Sequence, residues 1–230
     1  SKDPYGLRRL TIGLIKIIIE NNKSIKIKDI INYSCQIYIE QQINFDNKKI
    51  LNELSNFIID RFKNFMKEKG IRPDIIESST INYDLNKILI IYKKSFFLQK
   101  NIKKQVGKDL IDNYKRAFKI LQSENEIILK DIQGSPDSAI FKNDFEKLLY
   151  KKLQNIRKDL TSIKVENDFN SQLLILCTVK KELNDFFDNV IVNDNDETLK
   201  KNRLELLKLL CNTYDNYINF TKVEILEWKN

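Results

Sequence analysis

Histidine is absent from all 230 residues, and glycine, proline, cysteine and alanine are scarce at five, three, three and two. Without an imidazole there is no Ser-His-Asp or Cys-His nucleophile, no His-ligated zinc site and no histidine general base. So few glycines and prolines argue against an all-β chain, which needs turn residues every ten or so positions. Each glycine is isolated, so neither a Walker loop nor a dinucleotide-binding fingerprint can be built. No apolar run is long enough to cross a membrane, and no cysteine pair has metal-ligand spacing. Cys35, Cys177 and Cys211 stand far apart in apolar helical patterns, as buried reduced thiols do, which points to a reducing cytoplasm. The first residues, SKDPYGLRR, are neither a signal peptide nor an initiator sequence, and read as part of a longer chain.

What is abundant is isoleucine, lysine and asparagine, at 35, 33 and 26 residues, against seven arginines. All three have AT-rich codons, so the formal net charge of +8 reflects nucleotide bias as well as surface chemistry. Position says more than the total. Residues 1–130 carry 25 basic and 15 acidic side chains, and residues 131–230 carry 15 and 17. The stretch 87–119 alone holds ten basic residues and two acidic ones. Its Lys93, Lys94, Lys100, Lys103, Lys104, Lys108, Lys115, Arg116 and Lys119 are interleaved with Tyr92, Phe96, Phe97, Tyr114 and Phe118. Two readings stay open there. The lysines neutralise backbone phosphates while the aromatics stack unpaired RNA bases, or the aromatics are core and the lysines a solvated face. The acidic group Asp194, Asp196 and Glu197 reads as a helix N-terminus favoured by the helix dipole rather than as a cation site.

The Ile-rich runs at 14–19 and 88–92 suit strands by propensity, but three-four spacing decides for helix. Pro4 opens a helix whose face is Leu7, Leu10, Leu14, Ile17 and Ile18. Residues 26–42 place Ile27, Ile30, Ile31, Cys35 and Tyr38 on one face. Residues 47–69 do the same with Ile50, Leu54, Phe57, Ile58, Phe62 and Phe65, ending at Gly70. A short helix follows Pro73, then come helices over 83–98 and 108–122. Asn143 with Glu146 is a capping box opening a helix to Leu160, and Asp168 caps a long helix to Phe187. Val190-Ile191-Val192 is an extended connector, and Asp194 with Glu197 repeats the cap pattern before the last helix. The pattern is an all-α chain of about eight helices without internal repeats.

Five strings go further. KDPYGLRRLTIGLIKIIIE at 2–20, FIIDRFKNFMKEKGIRPDIIES at 57–78 and NYKRAFKIL at 113–121 resemble, in order, segments of the beta subunit of bacterial tetrameric glycyl-tRNA synthetase. So do IFKNDFEKLLYKKL at 140–153 and FFDNVIVNDNDETLKKNRLELLKLL at 186–210, the last the most specific. Together they span nearly the whole chain. The resemblance implies the C-terminal third of a beta chain. Residues 1–80 would continue a helical body following an HD-type domain, and 81–230 would form a DALR-like anticodon/tRNA-binding helical bundle. The HD-type residues would lie upstream, in keeping with the absence of histidine.

The same resemblance implies a tRNA-recognition role in the ATP-dependent attachment of glycine to its tRNA. Adenylate chemistry, ATP and Mg belong to the alpha subunit, and no catalytic residue and no cofactor to this piece. The implied partners are glycine tRNA and the alpha subunit, in a cytoplasmic assembly of two alpha and two beta chains without a membrane. Lys115, Arg116, Lys119, Lys100, Lys103 and Lys104 are the candidate tRNA-binding residues. Lys119 replaces the family's asparagine in the KRA helix, which favours a phosphate contact over an amide contact to a base, and 213–230 departs from the family's terminal stretch. Arg8 and Arg9 read as structural, with Asp3 as partner, and Arg203 likewise, with Asp188 or Asp185; Phe186 and Phe187 read as packing. The competing class is a helical scaffold joining beta to alpha, which requires a large exposed apolar patch on residues 1–80.

Overall fold

The computed structural model describes Asp3, residues 5–163 and residues 168–224. The expected helix entry at Pro4 and the last six residues, Trp228 included, lie outside the described residues. Among the described residues there are eleven α-helices, three short 3-10 turns and no strand. No described helix is long and apolar enough to cross a membrane. The chain forms two compact units, residues 1–96 and 97–230.

The first unit is organised on α3 (Asn47–Glu68), against which α1 (Leu7–Glu20), α2 (Ile27–Glu40) and α4 (Pro73–Thr80) pack. Asp46 caps α3 by accepting the Lys49 N–H at 3.0 Å. At the other end Gly70 takes φ 79°, letting Ile71 N–H reach the Met66 carbonyl and Gly70 N–H that of Lys67. That is a Schellman closure, which needs a left-handed residue and finds it cheapest in glycine. Ile58, Ile59, Phe62, Phe65 and Met66 bury inward with Ile15, Ile18, Ile75 and Ile76. Each such side chain contributes roughly 1.5–3 kcal/mol.

Two expected faces are corrected. In α1 the buried side chains are Ile15 and Ile18, while Leu7, Leu10 and Ile17 are exposed. In α2 Ile27, Ile31 and Cys35 are buried, but Ile30 and Tyr38 are exposed. Periodicity identifies residues that share a face; it does not say that a neighbour covers it.

α5 (Ile88–Asn101), entered from a 3-10 turn at 85–87, contains the boundary between the units. The second unit then comprises α6 (Gln105–Gln122), α7 (Glu126–Asp131), α8 (Asp144–Ser162), α9 (Phe169–Cys177), α10 (Lys180–Asn189) and α11 (Glu197–Asp215). The expected single helix from Asp168 to Phe187 is two helices. At the break Thr178 and Val179 are β-branched, and the Thr178 hydroxyl donates to the Ile175 carbonyl at 2.7 Å. The break leaves Leu173, Leu176, Val179, Leu183 and Phe186 all buried. The connector after it is extended as expected, with Val190 and Val192 buried and Ile191 exposed.

α11 is the axis of this unit and packs on both α6 and α8. From Asn202 to Tyr214 every side chain except Lys208 and Asn212 is buried. Three of those are strongly polar, and each is matched. Glu205 accepts the Gln133 N–H at 3.0 Å, the Ser135 N–H at 2.8 Å and the Gly134 N–H between them. Asn202 bonds both backbone groups of Asp137, at 2.8 and 2.9 Å. Arg203 reaches Glu146 at 2.7 Å, Asp194 at 2.7 Å and the Ile191 carbonyl at 2.8 Å. Its anchors are therefore Glu146 and Asp194, not Asp188 or Asp185. Glu146 is at the same time the capping-box carboxylate of α8, accepting from Lys142 and Asn143 N–H at 2.8 and 3.0 Å. Asp196, not Asp194, caps α11.

Gly107 permits the close approach of the α5–α6 turn. A Cβ there would lie 2.3 Å from the Asn101 carbonyl oxygen and 2.5 Å from Ile102 Cα. In an open helix Gly→Ala stabilises by up to about 1 kcal/mol. Here Gly107→Ala is expected to destabilise by about 1–3 kcal/mol through overpacking against backbone, measured by urea unfolding; a stabilised variant would refute this account of the turn.

Candidate nucleic-acid interface

The basic stretch is divided between the two units. Lys87, Lys93 and Lys94 belong to the first unit, and Lys100 to Lys119 to the second. Lys94 is half-buried, and burial pulls its amine down to about 8, with Lys87 adding to the effect. Tyr92 and Phe96 stack on each other at 5.8 Å between centroids, and Tyr92 meets Phe65 at 6.0 Å. Tyr114 is buried against Tyr214 and Phe220. Buried Tyr114 is core and unavailable to a nucleobase.

What remains in the second unit is a charge asymmetry. Residues 97–119 carry seven basic and two acidic side chains, and residues 120–230 carry sixteen and nineteen. Its source is α6. With Leu110, Ile111, Tyr114, Ala117 and Leu121 buried, the 3.6-residue period puts Lys108, Lys115 and Lys119 within about 40° of one another on the outward side. Lys115 and Lys119 are about 6 Å apart along the axis. Lys108 and Lys115 are half-buried and Lys119 is exposed. None of the three has a carboxylate within ion-pair distance among the described residues. Lys100, Lys103 and Lys104 are exposed at the α5–α6 turn that Gly107 tightens, and Lys104 stands at the N-cap of α6 without a side-chain cap.

Arg116 is different. Its guanidinium carbon lies 4.1 Å above the ring of Phe187 on α10, and Nη2 lies 3.9 Å from Asp188. Lys180 reaches Asp109 at 2.8 Å seven residues earlier on both helices, so α6 and α10 run side by side in the same direction. Phe187 meets buried Phe186 edge to face at 5.4 Å. The periodicity of α6 identified Arg116 as outward, but nothing in the sequence paired it with residue 187.

Arg203 fixes the far end of α10, because it bonds the connector at Ile191 and Asp194. Asp194 is held below the usual carboxylate range by the Asp196 backbone N–H and then by Arg203. The cysteine thiols at 177 and 211 are pushed up to about 12 by burial and stay protonated. Among the described residues no cluster of three or more acidic or cysteine side chains is arranged to hold a metal ion.

The second unit is a helical module of the anticodon-binding class: residues 110–228 match the DALR anticodon binding domain family. Residues 1–80 match the family described as glycyl-tRNA synthetase beta subunit. The chain is 31% identical over 227 residues to the glycine–tRNA ligase beta subunits of Rickettsia prowazekii (strain Madrid E) and Rickettsia typhi (strain ATCC VR-144 / Wilmington). It is 32% identical over 225 residues to that of Rickettsia bellii (strain OSU 85-389). These alignments cover 97% of this chain but 31%, 31% and 30% of the relatives, so it spans about a third of their length. The chain belongs to the DALR anticodon binding domain family through its second half, and over nearly its whole length it is similar to glycyl-tRNA synthetase beta subunits.

Asp194 supplies a pH test of the clamp. A carboxyl whose folded pKa is depressed stabilises the fold above its unfolded value of about 3.9, and that contribution is lost as pH falls through the folded pKa. Asp194→Asn is therefore expected to be less stable than wild type at pH 5–7, with the gap closing below about pH 4. Urea midpoints across that range decide it; a gap that is constant with pH would contradict the clamp.

Proposed function

We propose that the chain is the C-terminal tRNA-binding part of a glycyl-tRNA synthetase beta subunit. It supports ATP-dependent attachment of glycine to its tRNA by recognising the tRNA. Residues 1–80 serve as body segment and 81–230 as the binding bundle. Adenylate chemistry, with ATP and Mg, belongs to the alpha subunit, in a cytoplasmic assembly of two alpha and two beta chains. The observation that carries the tRNA reading is the polarised charge of the second unit: lysines without ion-pair partners along α6, on a unit otherwise slightly acidic. Lys115 and Lys119 are the phosphate ligands of this reading, with Lys100, Lys103 and Lys104 extending the positive field along the turn. Replacing Lys115 and Lys119 with glutamate is expected to weaken glycine-tRNA binding at least tenfold near physiological salt. The log-affinity slope against log salt should become shallower by about one per lysine. Unchanged affinity and slope would remove α6 from the interface.

A second reading, assembly, has its own observation. Eleven of the sixteen exposed large apolar side chains among the described residues lie between Tyr5 and Leu54. Several border a groove of about 430 Å³ between α2 and α3, lined by Ile30, Tyr38, Ile43, Phe45, Ile50 and Leu54 among others. A contiguous apolar surface of this kind is the mark of a protein contact, and the alpha subunit is the partner this reading names. Tyr38→Asp with Leu54→Asp should reduce capture of the alpha subunit at least tenfold and leave tRNA affinity unchanged. Full capture by the double variant would exclude the groove.

A further inference from the structure

The role of Arg116 is separable from that of its lysine neighbours, and the inference that follows rests on the tRNA reading above. Its charge is already partly balanced by Asp188 at 3.9 Å, and exposed Asp112 lies one turn away on the same helix. A guanidinium flanked by carboxylates is a poor phosphate ligand. It is also held by something other than charge, because its Cζ lies 4.1 Å from the centroid of the Phe187 ring, which packs on fully buried Phe186. The Arg116 side chain is still 47% exposed. A planar cation seated on an aromatic ring and still half exposed offers a stacking plate, and guanidinium planes and aromatic rings are the surfaces on which unpaired RNA bases stack.

We propose that Arg116, positioned by Phe187, is the platform for one unpaired nucleobase of the bound tRNA, while Lys115 and Lys119 hold the adjoining phosphates. Arg116 touches the base; Phe187 acts through Arg116 by fixing the plane. Because stacking depends on shape and phosphate neutralisation on charge, the two roles respond to different substitutions. Arg116→Lys keeps the charge and removes the plane. Phe187→Leu keeps the apolar filling and removes the ring. Phe187→Tyr keeps the ring.

The test uses glycine tRNA carrying 2-aminopurine at one unpaired position at a time, titrated with the 230-residue chain, with circular dichroism confirming that each variant is folded. With wild type, fluorescence at one loop position should be quenched on binding. Arg116→Lys and Phe187→Leu should each lose that quenching and at least fivefold in affinity, with the salt slope unchanged. Phe187→Tyr should behave as wild type. If wild type binds but no position is quenched, or if Arg116→Lys retains quenching and affinity, the platform is wrong and the tRNA reading stands. If Phe187→Leu alone retains both, the positioning role of Phe187 is wrong and the proposal as stated is overturned. If wild type binds no tRNA, the tRNA reading fails and the platform with it.

Discussion

The second unit depends on one helix being buried almost all the way round while carrying an arginine, a glutamate and an asparagine. Asn202, Arg203 and Glu205 are all buried on α11, and an unmatched polar group there costs about 1–3 kcal/mol, more if charged. Matching them dictates the surroundings. The loop at 133–135 must turn its N–H groups inward to Glu205, the α8 cap must offer Glu146, and the connector after α10 must bring Ile191 and Asp194 to Arg203. Removing one member of the Arg203–Glu146 pair would strand a buried charge, at about 3–5 kcal/mol. The pair is thus a device of specificity: it fixes which loops meet which helix.

That constraint propagates to the surface. α6 packs on α11 through its apolar face, which leaves its lysines outward; α10 is tied down at its end by Arg203 and at its start by Lys180 to Asp109. Phe187 therefore arrives beneath Arg116 at a fixed height. The first unit shows the opposite economy. α3 gathers a modest core along its C-terminal half, and several apolar residues of α1 and α2 find no cover within the unit.

Much of this was legible from local chemistry. The Asn143–Glu146 box, Gly70, the helix after Pro73 and the outward turn of Lys115 and Arg116 follow from rules that act within four residues. What was not legible depended on distant partners. Asp194 and Asp196 are indistinguishable as caps until Arg203 claims one of them. Leu7, Leu10 and Ile17 have helical spacing, but no neighbouring helix covers them. The break at Thr178 carries neither glycine nor proline, and the requirement of Gly107 appears only once Asn101 is seen beside it. Arg116 and Phe187 are 71 residues apart in sequence, with no periodic signal linking them.

The proposed RNA-facing side of the bundle is α6 together with the edge of α10 at Phe187. A structure of the chain bound to glycine tRNA tests it most directly. The account predicts tRNA phosphates within hydrogen-bonding distance of Lys115 and Lys119 and an unpaired base lying flat on Arg116. RNA seated elsewhere on the bundle, with α6 left in solvent or covered by protein, would contradict it.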